Sequence, residues 1–143
     1  MDGNTELLNY IYQNSQMGLH SIEQLLKKTE DGKFKNHLST QHEEYKAINT
    51  QARELLKEKG HEEKDLGAMA KLTTQFSINV NTLTDHSPSH MAEMMMQGST
   101  MGIIDATKNL NKYANADEAI ISLGRKLLRT EESNVEHLKG FLQ

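Results

Sequence analysis

Seven residues of one segment recur at alternating intervals of four and three: Phe34, Leu38, Gln41, Tyr45, Ile48, Ala52 and Leu55. An α-helix brings such positions onto one stripe, whereas a strand requires alternation every second residue. Fours and threes in strict alternation make the seam of a left-handed helical bundle. A helix with such a seam must be covered by others.

The rest of the chain supplies candidates. Leu8, Ile11, Leu19, Ile22 and Leu26 follow helical period, as do Ile120, Gly124, Leu127, Glu131, Asn134 or Val135, Leu138 and Leu142. Breaks fall at Asp31-Gly32, Lys59-Gly60, Asp85 to Pro88 and Tyr113 to Ala116. Gly32 and Gly60 suit left-handed C-caps, Ser87-Pro88 an N-cap followed by proline, and Asn115 to Glu118 a capping box. These signals predict helices over 4–29, 33–59, 62–84, 88–113 and 117–142. Phe76 to Asn81 also alternates like a strand, but no other segment alternates to pair with it, so the helix is preferred. Short connections imply antiparallel neighbours. The expected fold is all-α, one domain over residues 1–143, an up-down antiparallel bundle of four to five long helices.

The absence of cysteine excludes disulfides, thiol nucleophiles and iron–sulfur clusters. The opening Met1-Asp2-Gly3-Asn4-Thr5-Glu6 has no basic region and no apolar run after it, and no stretch reaches membrane-spanning length. The expectation is a cytoplasmic protein with no membrane contact. A net charge of −4 argues against nucleic acid.

Charge is unevenly spread. Residues 1–65 carry 21 charged side chains, but residues 66–107 carry only Lys71, Asp85, Glu93 and Asp105. An ordinary surface helix has a charged outer face. The depleted region therefore reads as two helices covered on more than one side, either centrally in one bundle or at a subunit interface. Gly98, Gly102 and Ala106 stand four apart on one face, a spacing that lets another helix approach closely. Met91, Met94, Met95 and Met101 surround the same helix and cannot all face one core. These features predict a homodimer whose interface includes Met91, Met94, Met95, Gly98, Met101 and Gly102, with any other protein partner unspecified.

Motifs for catalysis are missing. The chain has no G-x-G-x-x-G, Walker loop, nucleophile elbow or H-E-x-x-H, so no catalytic residue is assigned. A di-iron carboxylate site needs Glu-x-x-His on two helices. The one literal instance, Glu58 to His61, straddles Gly60, while Glu131-x-x-Asn134 and Glu44-x-x-Ala47 lack the histidine. No cofactor is therefore expected. The alternative is a divalent metal, iron or zinc, in a looser cluster of His20, Glu23, His42, Glu44, His90, Glu93 and Glu131, several of which fall at similar depth when positions are reflected through the turns. Gln41 and Glu131 occupy seam positions, where a polar residue commonly fixes register. A carboxyl buried there would need a partner or would stay protonated.

The segment from Ser87 through His90-Met-Ala-Glu-Met-Met-Met-Gln-Gly-Ser-Thr-Met-Gly-Ile-Ile to Asp105 resembles small bundle proteins of clostridia and their relatives, which implies a bundle and no particular activity. The stretch Leu127-Leu-Arg-Thr-Glu-Glu-Ser-Asn-Val-Glu-His-Leu is similar to the last helix of ferritin-like and rubrerythrin-like proteins. On that resemblance Glu131 matches the metal motif's Glu, and Asn134 departs from its His. The expected function is a non-enzymatic oligomerising or partner-binding bundle, the alternative a divergent ferritin-like metal protein. An apolar small-ligand pocket lined by Met is a third reading.

Overall fold

A computed structural model describes residues 3–60 and 83–143. It is helical, with no strand among the described residues. The helices are α1 (Gly3–Lys28), α2 (Gly32–Glu58), α3 (Pro88–Lys112) and α4 (Glu118–Leu138), followed by a single 3-10 turn at Lys139–Phe141. The 27 residues of α2 span roughly 40 Å at 1.5 Å per residue. No helix among the described residues is long and apolar enough to cross a membrane. The helix expected over 62–84 lies outside the described residues except for Leu83 and Thr84, which are not helical. The strand-like stretch 76–81 is outside them too.

Local chemistry sets the helix ends. Ser87 caps α3 by accepting a hydrogen bond from the His90 amide at 3.2 Å, with Pro88 in the first turn. Gly60 has φ +86° after the end of α2, a conformation that costs glycine little. Two expected caps take other forms. Gly32 is not left-handed but opens α2, because the Asp31 carboxylate caps that helix and accepts from the Phe34 amide at 3.2 Å. The capping box at Asn115 to Glu118 does not form. The N-cap is Asp117, whose amide donates to Asn4 Oδ1 at 2.8 Å and whose carboxylate faces Lys59 Nζ at 3.4 Å. Contacts with α1 and α2 thus fix the start of α4, in place of a local box.

Contacts along the helices give their directions. Glu23 meets His42, Gly18 meets Tyr45 and Ser15 meets Asn49, so α1 and α2 run antiparallel. Gly124 meets Leu110, Gly102 meets Glu131 and Ser89 meets the Gln143 amide, so α3 and α4 do the same. Tyr10 reaches Gly102 and Gly3 packs on Tyr113, which sets α1 against α3 in opposite directions. Phe34 stacks edge-on to Phe141, with ring centres 5.1 Å apart, while Lys59 meets Asp117, so α2 and α4 are also opposed.

The seams bury a single core. Leu8, Ile11, Leu25, Phe34, Leu38, Ile48, Ala52, Met91, Ala92 and Leu127 are all wholly buried. At the end of α2 the buried residue is Leu56, with Leu55 only half-covered. A straight helix turns once in 3.6 residues, so a 3.5-residue stripe drifts round it, and the core-facing position moves on by one. At the choice between Asn134 and Val135, Asn134 faces inward. A polar bridge ties α1 to α2 inside this core. Buried Asn49 donates to the Tyr12 carbonyl at 3.2 Å and to Ser15 Oγ at 3.0 Å.

Candidate functional site

The apolar stripe of each of the four helices lapses at one common level. In α1 the interruption is Gly18 with Asn14 and Ser21; in α2 it is Gln41; in α3 it is Gly98 and Gly102; in α4 it is Glu131. Small or polar side chains at one level leave a cavity of about 110 Å³, walled also by Tyr10, Met17, Tyr45, Met95, Ser99, Met101 and Asp105.

Glu131 is the chemical centre of this space. Its carboxyl is 4 % exposed, and Oε2 has no hydrogen-bond partner. Burial pushes its pKa up to about 7, while the hydroxyls of Tyr45 and Ser99 reach toward the carboxylate and offset part of that rise. The carboxylate fits because Gly102 faces it: a β-carbon on Gly102 would stand 3.0 Å from Oε1. Gly18 plays the same part for Tyr45, since a β-carbon there would lie 3.1 Å from ring atoms Cδ1 and Cε1. The Tyr45 hydroxyl is itself pushed well above its ordinary pKa, first by burial and then by the Glu131 charge. Asn134 Nδ2, one turn along α4 from Glu131, is also buried without a hydrogen-bond partner.

Tyr10 of α1 lines the cavity as well. Its hydroxyl accepts from Asn14 Nδ2 at 3.0 Å and donates toward the Gly102 carbonyl at 3.4 Å. Burial raises its pKa, and the charges of Asp105 and Glu131 raise it further. Both carboxylates are therefore within electrostatic reach of one phenol. No Lys, Arg or His lines the cavity among the described residues.

The residues singled out from the sequence are distributed unevenly around this site. Glu131 is in its wall, with Gln41 beside it, 1 % exposed. Glu23 and His42 pair across α1 and α2 at 3.0 Å near the surface, so Glu23 meets the facing helix while His20, one turn away on α1, is exposed. Glu44 is half-buried; burial raises its carboxyl pKa and the charge on His137 opposes that rise. His90 is half-buried at the start of α3, and Glu93 is exposed. Among the described residues, no three His, Asp or Glu side chains come together as a group that could hold a metal ion. Of the residues expected at an interface, Met91, Met95 and Gly102 are buried within the chain, while Met94, Gly98 and Met101 keep part of their surface.

Sequence reasoning missed Tyr10, Asn14, Gly18, Ser21, Ser99 and Asp105 as neighbours of Glu131. The available signal was the gap between Ile11 and Leu19 on α1, opposite the glycines of α3. A second cluster, one turn along α2 from Gln41, joins His37 and His137, whose ring centres are 5.8 Å apart, with Phe141 5.6 Å from His37. Burial, with the nearby His137, lowers the pKa of His37. His37 Nε2 also lies 2.7 Å from Gln41 Nε2, which connects this cluster to the cavity wall.

No known family, curated protein or solved structure matches the chain. The reading of the site rests on its own geometry.

Proposed function

We propose that the chain is a non-enzymatic, cytoplasmic helical bundle that takes up a small ligand in the cavity between its helices. The observation that carries this reading is the Glu131 carboxylate: buried at a cavity wall with one oxygen unpartnered. A buried polar atom left alone costs roughly 1–3 kcal/mol, and more when charged. A donor entering the cavity would recover that cost. Thioethers from Met17, Met95 and Met101 supply a polarizable apolar wall that adapts to an occupant's shape. In the four described helices α1 and α4 run one way and α2 and α3 the other, an order that suits a ferritin-like bundle with one long connection between its second and third described helices.

The methionine methyls provide the test. In a protein carrying ¹³C-methyl methionine, a small amphiphile entering the cavity shifts the Met17, Met95 and Met101 signals and leaves core Met91 the least affected. A panel containing an alcohol, an amine and a carboxylic acid of matched size, none of which moves those three signals at millimolar concentration, would refute the reading.

A second reading concerns assembly. Ile104 on α3 is 41 % exposed, and Met94 and Met101 of the same helix are only partly covered. An apolar surface on a helix with few charges supports a homodimer built on α3.

A further inference from the structure

Building on the cavity reading above, we propose that the ligand is a small organic ammonium ion, held between Glu131 and Asp105 with its short apolar chain against the methionines. Three independent features of the site select that class.

The first is charge. Two carboxyl side chains line the cavity, and no cationic side chain balances them there among the described residues. Both line the cavity that Tyr10 also walls, and both act on the Tyr10 hydroxyl. A carboxylate or phosphate would meet an Asp105 carboxyl group and hinder ionisation of Glu131, whereas a cation favours it. A neutral alcohol would offer one donor where an ammonium offers three and brings the missing charge.

The second is donor demand. Glu131 Oε2 is a buried acceptor without a hydrogen-bond partner, on a side chain that lines the cavity. The Tyr10 oxygen already receives one hydrogen bond and gives another. Among the described residues the cavity lining holds no cation, and one N–H₃⁺ group would supply both that charge and a donor for Oε2. Tyr10 and Tyr45 add aromatic rings to the wall, which favour a cation further.

The third is size. A dry cavity of 150 Å³ admits benzene. By the same measure, a cavity of about 110 Å³ holds a group of roughly four or five heavy atoms. That matches a propylammonium or butylammonium ion and excludes a bulky polyamine from full enclosure.

Capture of a cation has a signature besides affinity. Glu131 is largely protonated below neutral pH in the empty site, and an ammonium beside it favours the ionised form. Binding therefore expels a proton. The titratable group in contact with Glu131 is Tyr45 from α2, and Tyr10 from α1 and Asp105 from α3 line the same cavity. The two phenols have raised pKa values and stay neutral.

Calorimetric titration of the full chain with n-propylammonium, 1-propanol and propionate, at about pH 6 in two buffers of different ionisation heat, tests the proposal. The expected result is binding of n-propylammonium about ten-fold or more tighter than of 1-propanol, with release of close to one proton per ligand. The variant Glu131→Gln should lose both the preference and the proton release, and Asp105→Asn should weaken binding while the proton is still released. If 1-propanol binds as tightly as the amine, or propionate binds better, the ammonium proposal is overturned while the cavity reading stands. If none of the three binds, both fall.

Discussion

Gly102 of α3 forms the surface against which the Glu131 carboxylate of α4 rests: a β-carbon there would come within 3.0 Å of Oε1 and 3.1 Å of Cδ. The close approach depends on glycine in mid-helix, which costs about 1 kcal/mol against alanine. Replacing it with Gly102→Leu should overpack the pair and lower stability by roughly 1–3 kcal/mol. Urea denaturation measures this. A variant as stable as the parent would mean that Glu131 moves aside without cost.

The pH dependence of stability carries the mark of the same carboxyl. Burial raises the Glu131 pKa from 4.5 to about 7 in the folded chain. The folded state therefore holds a proton that the unfolded state releases, and stability is lost as pH rises from about 4.5 to about 7. The full loss is on the order of 3 kcal/mol. His37 acts in the opposite sense: its lowered pKa costs stability as pH falls below its ordinary 6.5. The clean measurement is the difference between parent and Glu131→Gln, from denaturation at several pH values. That difference should grow in favour of the variant from acid to neutral pH and then level off.

The bridge from Asn49 to Tyr12 and Ser15 joins α1 to α2 in a dry region. Asn49→Ala should cost about 1–3 kcal/mol, since it removes two hydrogen bonds and opens a small void. The denaturant midpoint should fall with an unchanged slope, which distinguishes a lost contact from a loosened native state. A change below a few tenths of a kcal/mol would show that the bridge adds nothing net.

Assembly is decided by mass in solution. A homodimer on α3 predicts a light-scattering mass near twice 16.2 kDa at low micromolar concentration. Ile104→Glu should return it to one chain without lowering the folded chain's stability, because Ile104 is exposed. Met95 is unsuitable for this test, since at 7 % exposure a charge there would disrupt the core. A mass of one chain for the parent would remove the dimer reading.

The sequence by itself determined the four described helices and most of their inward faces, although Leu142 on the last stripe is exposed. Periods of three and four mark Phe34, Leu38, Ile48 and Leu127 as core, because an apolar stripe on a helix has to be buried whichever helix covers it. The same periodicity put Gln41 and Glu131 on the seams, and both are buried. Reflecting positions through the turns also gave the approximate depth of Glu23 and His42, which do meet. Depth along an axis follows from counting residues at a fixed rise.

The tertiary structure decided the rotation of each helix about its axis and the identity of its neighbours. Those choices depend on how the four seams mesh. They set Gly102 under Glu131, Gly18 under Tyr45 and Asn4 at the start of α4, through contacts between residues far apart in the chain. Each helix could tolerate a weak point in its stripe at this level. Only the packed bundle aligns the four weak points at one level, and the cavity exists because they coincide.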